Sequence, residues 1–273
     1  RGDFVKEQQL LIGWASRDVS TEKPVNIPGQ FHMRISQGIL DPVTVTALVI
    51  DSGKDSAIFL SADLVVIRSG LLDLIREKTA KLNPEIPVMK ILMNATHTHA
   101  GPSHYEDSIW ASKNASSTPP IESLPELNVE IASGNEYREF LSDQAAEAIC
   151  EAWEKRSAGG VSYGYGYATV GQSRRVVYFD DTSKRDGQQA SGFRVNGKAM
   201  MYGNTSDDLF SHYEAGTDTF VNLLFTFDEN DKLTGAIINA PAPSQNSEHR
   251  FMLSADYWHD TRVAIRKEFG DIF

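Results

Sequence analysis

His97 and His99 are the residues of this chain whose type and spacing most plainly point to chemistry. The run Lys90-Ile91-Leu92-Met93-Asn94 reads as a buried strand, and it delivers the two histidines into a turn at Gly101-Pro102. Alternate side chains of a strand share a face, so both imidazoles are expected on one side, about 6–7 Å apart at roughly 3.3 Å per residue. Neutral imidazole is a zinc ligand, and zinc with an open position lowers the pKa of water toward about 7. The chemistry expected is metal-assisted hydrolysis. A bare His-x-His pair is more often a hydrogen-bonded surface feature, so the surrounding residues decide. His104 follows five residues after His99, Glu248 and His249 stand in a later loop, and Asp256 and His259 are three apart, a spacing that shares a helical face. Each alone reads as a solvated or capping residue. As a group they are secondary ligand candidates.

Asn94 to Pro102, Asn-Ala-Thr-His-Thr-His-Ala-Gly-Pro, resembles the Thr-His-Thr-His-Ser/Ala-Gly-Pro segment of the neutral/alkaline (non-lysosomal) ceramidase family. Ser61-Ala62-Asp63-Leu64 is similar to that family's Asp-Leu segment, and Ser173-Arg174-Arg175 to its Asn-Arg-Ser segment. Thr217-Asp218 begins a hairpin like the one that carries its second metal histidine. The resemblance runs from about Leu11 to the C-terminus, with the His97 segment its one specific motif. It implies a zinc ion on His97, His99 as catalytic partner and Arg174 positioning the reacting group, while the spacing of the two imidazoles makes His99 a metal-ligand candidate as well. The adjacent Arg175 leaves that register open by one residue. It also implies amide hydrolysis of an N-acyl lipid and a secreted or periplasmic home.

The chain departs from the family in ways that bear on the site. Where the family has its second zinc histidine, Ala240-Pro241-Ala242-Pro243 stands here, and Ala242 cannot bind metal. The family's Gly-Ile-His segment is Gly38-Ile39-Leu40. The family's glutamate and tyrosine ligands and its nucleophilic serine, in a Gly-Asp-x-Ser-Pro segment, have no counterpart before Phe273. These losses lead to the expectation of a rearranged site, with weaker ligand candidates His104, Glu248 and His259. A carbohydrate derivative is the alternative substrate, and a binding or structural domain without catalysis is the alternative function.

With 273 residues and 41% hydrophobic content, one large domain with its own core is expected, and the apolar ending Ile272-Phe273 after a helix leads to the expectation of an incomplete C-terminal side. No stretch reaches the roughly 18–20 apolar residues of a membrane span. A net charge of -11 argues against a nucleic-acid partner, which needs clustered Lys and Arg. A small molecule, lipid or glycan is the partner class left. The single cysteine, Cys150, falls on the apolar face of a helix and reads as a small buried hydrophobe.

The elements that must position the histidines follow from periodicity. Strands are expected at Leu10 to Trp14, Val43 to Asp51, Ala57 to Leu60 and Val88 to Asn94. Helices are expected at Ser69 to Leu82, at Tyr137 to Lys155 with Phe140, Leu141, Ala145, Ile149 and Trp153 on one stripe, and from an N-cap at Ser254 to Gly270. Asn196-Gly197 reads as a two-residue hairpin turn, and Phe220 to Phe227 pairs with Leu233 to Asn239 across Asp228 to Asp231. Tyr163, Tyr165 and Tyr167 alternate with glycine and are expected to pack as one strand face. The Ser, Pro and Glu-rich stretch from Pro102 to Asn135 reads as a binding loop or lid, or as a disordered segment. Many short strands with few helices between them predict an α/β fold of mixed and antiparallel β-sheets flanked by helices.

Overall fold

The computed structural model describes residues 9–30, 34–105, 130–187 and 195–273. In chain order it holds β1 (Leu10–Asp18), β2 (Thr44–Asp51), β3 (Ser56–Ala62), α1 (Leu71–Leu82), β4 (Ile91–Ala95), α2 (Gly134–Glu154), β5 (Ser157–Tyr167), β6 (Arg175–Tyr178), β7 (Val195–Asn196), β8 (Ala199–Met201), β9 (Phe210–Tyr213), β10 (Phe220–Asp228), β11 (Leu233–Asn239) and α3 (Tyr257–Phe269). One sheet has the order β11-β10-β5-β1-β2-β3-β4 and the other β7-β8-β6-β9. The fold class is therefore the mixed α/β one that the sequence predicts. By its contacts the chain divides into two compact units: 1–162, 224–237 and 243–273 form the first, and 163–223 with 238–242 the second. The core segment of the proposed lid, 106–129, lies outside the described residues.

In the first unit β1, β2 and β3 are antiparallel neighbours, with β2 and β3 joined by the tight turn Ser52-Gly53-Lys54-Asp55. β3 then pairs parallel to β4, up to Ala62 opposite Ala95. A parallel pair needs a crossover, and α1 is that crossover. The consequence is functional: the carboxyl ends of β3 and β4 stand side by side, so Asp63 and Thr96 leave the sheet together. Ligands in such sheets collect beyond the carboxyl ends of parallel strands.

Both helices cover this sheet through apolar residues at helical spacing. α1 buries Leu71, Ile75 and Thr79, and α2 buries Tyr137, Leu141, Ala145, Ile149 and Trp153 among others. Each fully buried Leu or Ile side chain stabilises the fold by roughly 1.5–3 kcal/mol. Phe140 departs from the expected stripe: it is 40% exposed, because the buried face of α2 centres on Leu141. Cys150 is buried in α2 as predicted, and burial raises its thiol pKa.

Several boundaries shift for local reasons. Val88–Lys90 form a 3-10 turn, and the strand starts only at Ile91. α3 is capped by Asp256, whose carboxylate accepts the Tyr257 amide, while the Ser254 hydroxyl accepts the Asp256 amide. In the second unit the Val195 hairpin turns on Gly197-Lys198, one residue later than expected, with positive φ at Gly197 alone. The tyrosines of β5 share one face that stays exposed: Tyr165 and Tyr167 pack on each other and on Phe220 of β10, and Tyr163 donates to Asn222 Oδ1.

Candidate metal centre

The strand that carries the histidines stops at Ala95, and His97 has φ 59, a left-handed conformation uncommon outside glycine. Strand alternation therefore does not bring the two rings together, as the sequence spacing predicts. The left-handed turn does, and more closely: His97 Nε2 and His99 Nε2 are 3.2 Å apart, with ring centroids 4.8 Å apart and planes at 82°. His97 is exposed and His99 is buried.

Each ring has a second partner on its other nitrogen. His97 Nδ1 lies 2.5 Å from the Val65 carbonyl, which as an acceptor demands the proton on Nδ1 and leaves the Nε2 lone pair free. His99 Nδ1 lies 3.2 Å from Glu248 Oε2. The Gln245 amide nitrogen lies 3.2 Å from Glu248 Oε2 and 3.2 and 3.3 Å from the two His99 ring nitrogens.

The loop holding Gln245 and Glu248 is laced to the histidine segment by backbone. His99 N donates to Ser244 O at 2.9 Å, Ser244 N to His97 O at 3.3 Å, and Ser244 Oγ to Thr96 O at 2.9 Å. Arg34, 1% exposed, clamps the same two segments from below: its guanidinium donates to the carbonyls of His99, Glu248, Pro28 and Arg250. Burial lowers its pKa, and the nearby Glu248 charge opposes that shift. Gly29, at φ 111, closes the far side of His99, since a Cβ there would fall 2.7 Å from the imidazole Cγ.

Asp63 fixes the other flank. Fully buried, it accepts from the Thr44 amide and hydroxyl, from Thr96 Oγ1 at 3.1 Å and from both terminal nitrogens of Arg262 at 2.8 and 2.9 Å. The Asp-Leu segment thus orients the residue next to His97 through Asp63 and His97 itself through Val65.

The remaining sequence candidates take other roles. His104 is 1% exposed, and its Nε2 accepts the Arg68 amide at 3.2 Å, so the lone pair a metal would need is engaged. Burial, then the charges of Arg138 and Arg68, lower its pKa to about 4. His259, on α3, faces Asp41 at 3.9 Å. Arg174 belongs to the second unit, where it donates to Tyr202 Oη at 2.9 Å, and Arg175 pairs with Glu214. Ala242, also in the second unit, offers only a methyl group. Among the described residues no group of three or more His, Cys, Asp or Glu side chains converges as a metal cage.

Sequence reasoning missed Gly29, Arg34, Val65 and Gln245. Pro28-Gly29 is a turn signal that could have drawn notice. Nothing in sequence separates a buried Arg34 from a surface arginine, and Val65 acts through a carbonyl that every residue has.

No protein-family model and no curated protein sequence matches the chain. Solved structures do. The crystal structure of neutral ceramidase from Pseudomonas aeruginosa superposes with a TM-score of 0.67 at 18% identity, covering 97% of this chain and 37% of that one. The fold is ceramidase-like. A ceramidase complexed with C2 gives a TM-score of 0.61 at 19% identity, covering 97% of this chain and 36% of its own. The chain thus spans little more than a third of the ceramidases it matches. Among the described residues no helix is long and apolar enough to cross a membrane.

Proposed function

We propose that this chain is a hydrolase that cleaves an amide bond in an N-acyl substrate with a metal-activated water, zinc being held by Nε2 of His97 and Nε2 of His99. One observation carries the reading. Two nitrogens bound at roughly 2.0–2.1 Å to one tetrahedral ion stand about 3.3 Å apart. The two Nε2 atoms are 3.2 Å apart.

What surrounds the rings supports it. Metal-ligating histidines characteristically give their other N–H to a carbonyl or carboxylate, and His97 has Val65 O while His99 has Glu248. This moves Glu248 from candidate ligand to the residue that orients a ligand. Zinc held there supplies a Lewis acid for the carbonyl and lowers the pKa of water. The chain's own contribution is a rigid seat: Arg34 and Ser244 lock the two loops, Asp63 locks the strand ends, and Gly29 gives His99 the room to stand where it does. His97, exposed beside the buried His99, leaves the pair accessible to a substrate.

Because the structures it matches are ceramidases, N-acyl lipids are the first substrates to assay, and acylated sugars the second. The test incubates the chain with both sets, with and without zinc, and measures release of free acyl groups. Release that requires zinc and disappears in His97→Ala is the expected result. A zinc-loaded chain that releases nothing from any substrate contradicts the hydrolase reading and favours a binding module.

A further inference from the structure

Five residues beyond His99 the chain forms a second polar cluster that the metal centre does not use. The segment that receives His97 at Val65 continues to Arg68, whose backbone N–H donates to His104 Nε2. Three residues reach at most about 10 Å, so the Arg68 backbone lies within that distance of Val65. The Arg68 guanidinium lies over the Tyr105 ring at 4.9 Å, and the His104 ring meets Tyr105 edge-on at 5.2 Å. The first turn of α2 presses on the same spot, since a Cβ on Gly134 would fall 2.0 Å from the Tyr105 carbonyl oxygen. Arg138, four residues later, stands one turn above Gly134 on that face. Its charge and that of Arg68 both act on His104.

The two arginines share an unusual condition. Among the described residues neither has a carboxylate partner, and the Nε of each is buried without a hydrogen bond. The nearby acids are committed elsewhere: Glu130 and Glu136 pair with Lys23, and Glu139 and Asp143 with Lys78. His104 adds no competing charge, because it remains neutral at ordinary pH. Two planar, charge-bearing forks with unsatisfied donors match an oxyanion.

We propose that Arg68 and Arg138 form a binding site for an oxyanionic group, a carboxylate, sulfate or phosphate, carried by the substrate next to its scissile amide. The site rests on its own geometry, while its assignment to the substrate rests on the hydrolase reading above. An acidic N-acyl compound, rather than an uncharged ceramide, is the substrate class that satisfies both sites at once.

The test titrates metal-free chain with sodium sulfate in one arm and N-acetylglycine in the other, at constant ionic strength, by calorimetry. Saturable binding of at least one probe is expected, and the arm that saturates tells a tetrahedral oxyanion from a carboxylate. Loss of a charged hydrogen bond predicts about tenfold or greater weakening in Arg68→Gln and in Arg138→Gln. Arg138→Lys, which keeps the charge and not the fork, should fall between Arg138→Gln and the parent. His97→Ala and the exposed control Lys81→Gln should bind as the parent does. Binding unaffected by His97→Ala separates this site from the metal reading, which stands or falls on zinc alone. Absence of saturable binding by both probes, or equal binding in the parent and in Arg138→Lys and the double glutamine variant, overturns the proposal.

Discussion

The Glu248 carboxylate meets His99 on Nδ1, 3.2 Å away, while His99 Nε2 faces His97. Glu248 is therefore placed to hold the ring and raise its basicity, not to replace it on a metal. Glu248→Gln keeps the shape and removes the charge. Zinc affinity is expected to fall by about 10–100-fold with the stoichiometry unchanged, as for loss of an orienting partner. Isothermal titration measures both quantities, and a change in stoichiometry would make Glu248 a ligand after all.

Gly29 sets the position of His99 by having no side chain. Its φ of 111 is unfavourable for any L-residue, and an alanine Cβ would overlap the imidazole. Gly29→Ala should cost roughly 1–3 kcal/mol of stability from backbone strain and also weaken zinc binding. Denaturant unfolding and zinc titration on the same sample check the pair of effects. Normal zinc affinity would show that His99 can move without loss.

The Asp63–Arg262 pair joins β3 to α3 across 199 residues of sequence. Removing one partner of a buried pair leaves an uncompensated charge, so Arg262→Met should destabilise by about 3–5 kcal/mol. Converting both, with Asp63→Asn added, should recover much of that loss, although the three remaining donors to Asp63 limit the recovery. Urea midpoints of the single and double variants test this. Equal loss in the two would show that the pair itself carries little of the effect.

The legible part of this fold was the part written in periodicity. The strands around Val45, Ile58 and Ile91 and the Leu141-Ala145-Ile149 stripe announce themselves because burial selects apolar residues at fixed spacing. His97 and His99 were legible as a pair because their types are rare and their context specific. Their real geometry was not, since a left-handed φ at a histidine has no sequence signature. The same limit hid Arg34 and Val65, whose roles depend on tertiary placement and on a backbone carbonyl. The alternating tyrosines of β5 announce a shared face, while its exposure does not follow from the sequence, because alternation specifies a face and not what covers it.

His104 gives the chain a predictable acid sensitivity. Burial, then Arg138 and Arg68, hold its pKa at about 4 against an ordinary 6.5. In the fold it refuses a proton that the unfolded chain accepts, so its contribution is intact above pH 6.5 and is lost as pH falls toward 4. The loss amounts to about 3 kcal/mol at most. Stability against urea between pH 4 and 7 should be flatter in His104→Gln than in the parent. Parallel curves would mean that His104 titrates normally.

The most direct test of the metal centre is zinc content and zinc titration of the purified chain beside His97→Ala and His99→Ala. The 3.2 Å spacing of the two Nε2 atoms predicts about one zinc per chain in the parent. Each alanine variant should bind none at the same free zinc and still unfold cooperatively. Equal zinc in the parent and in a variant lacking both histidines would contradict the account.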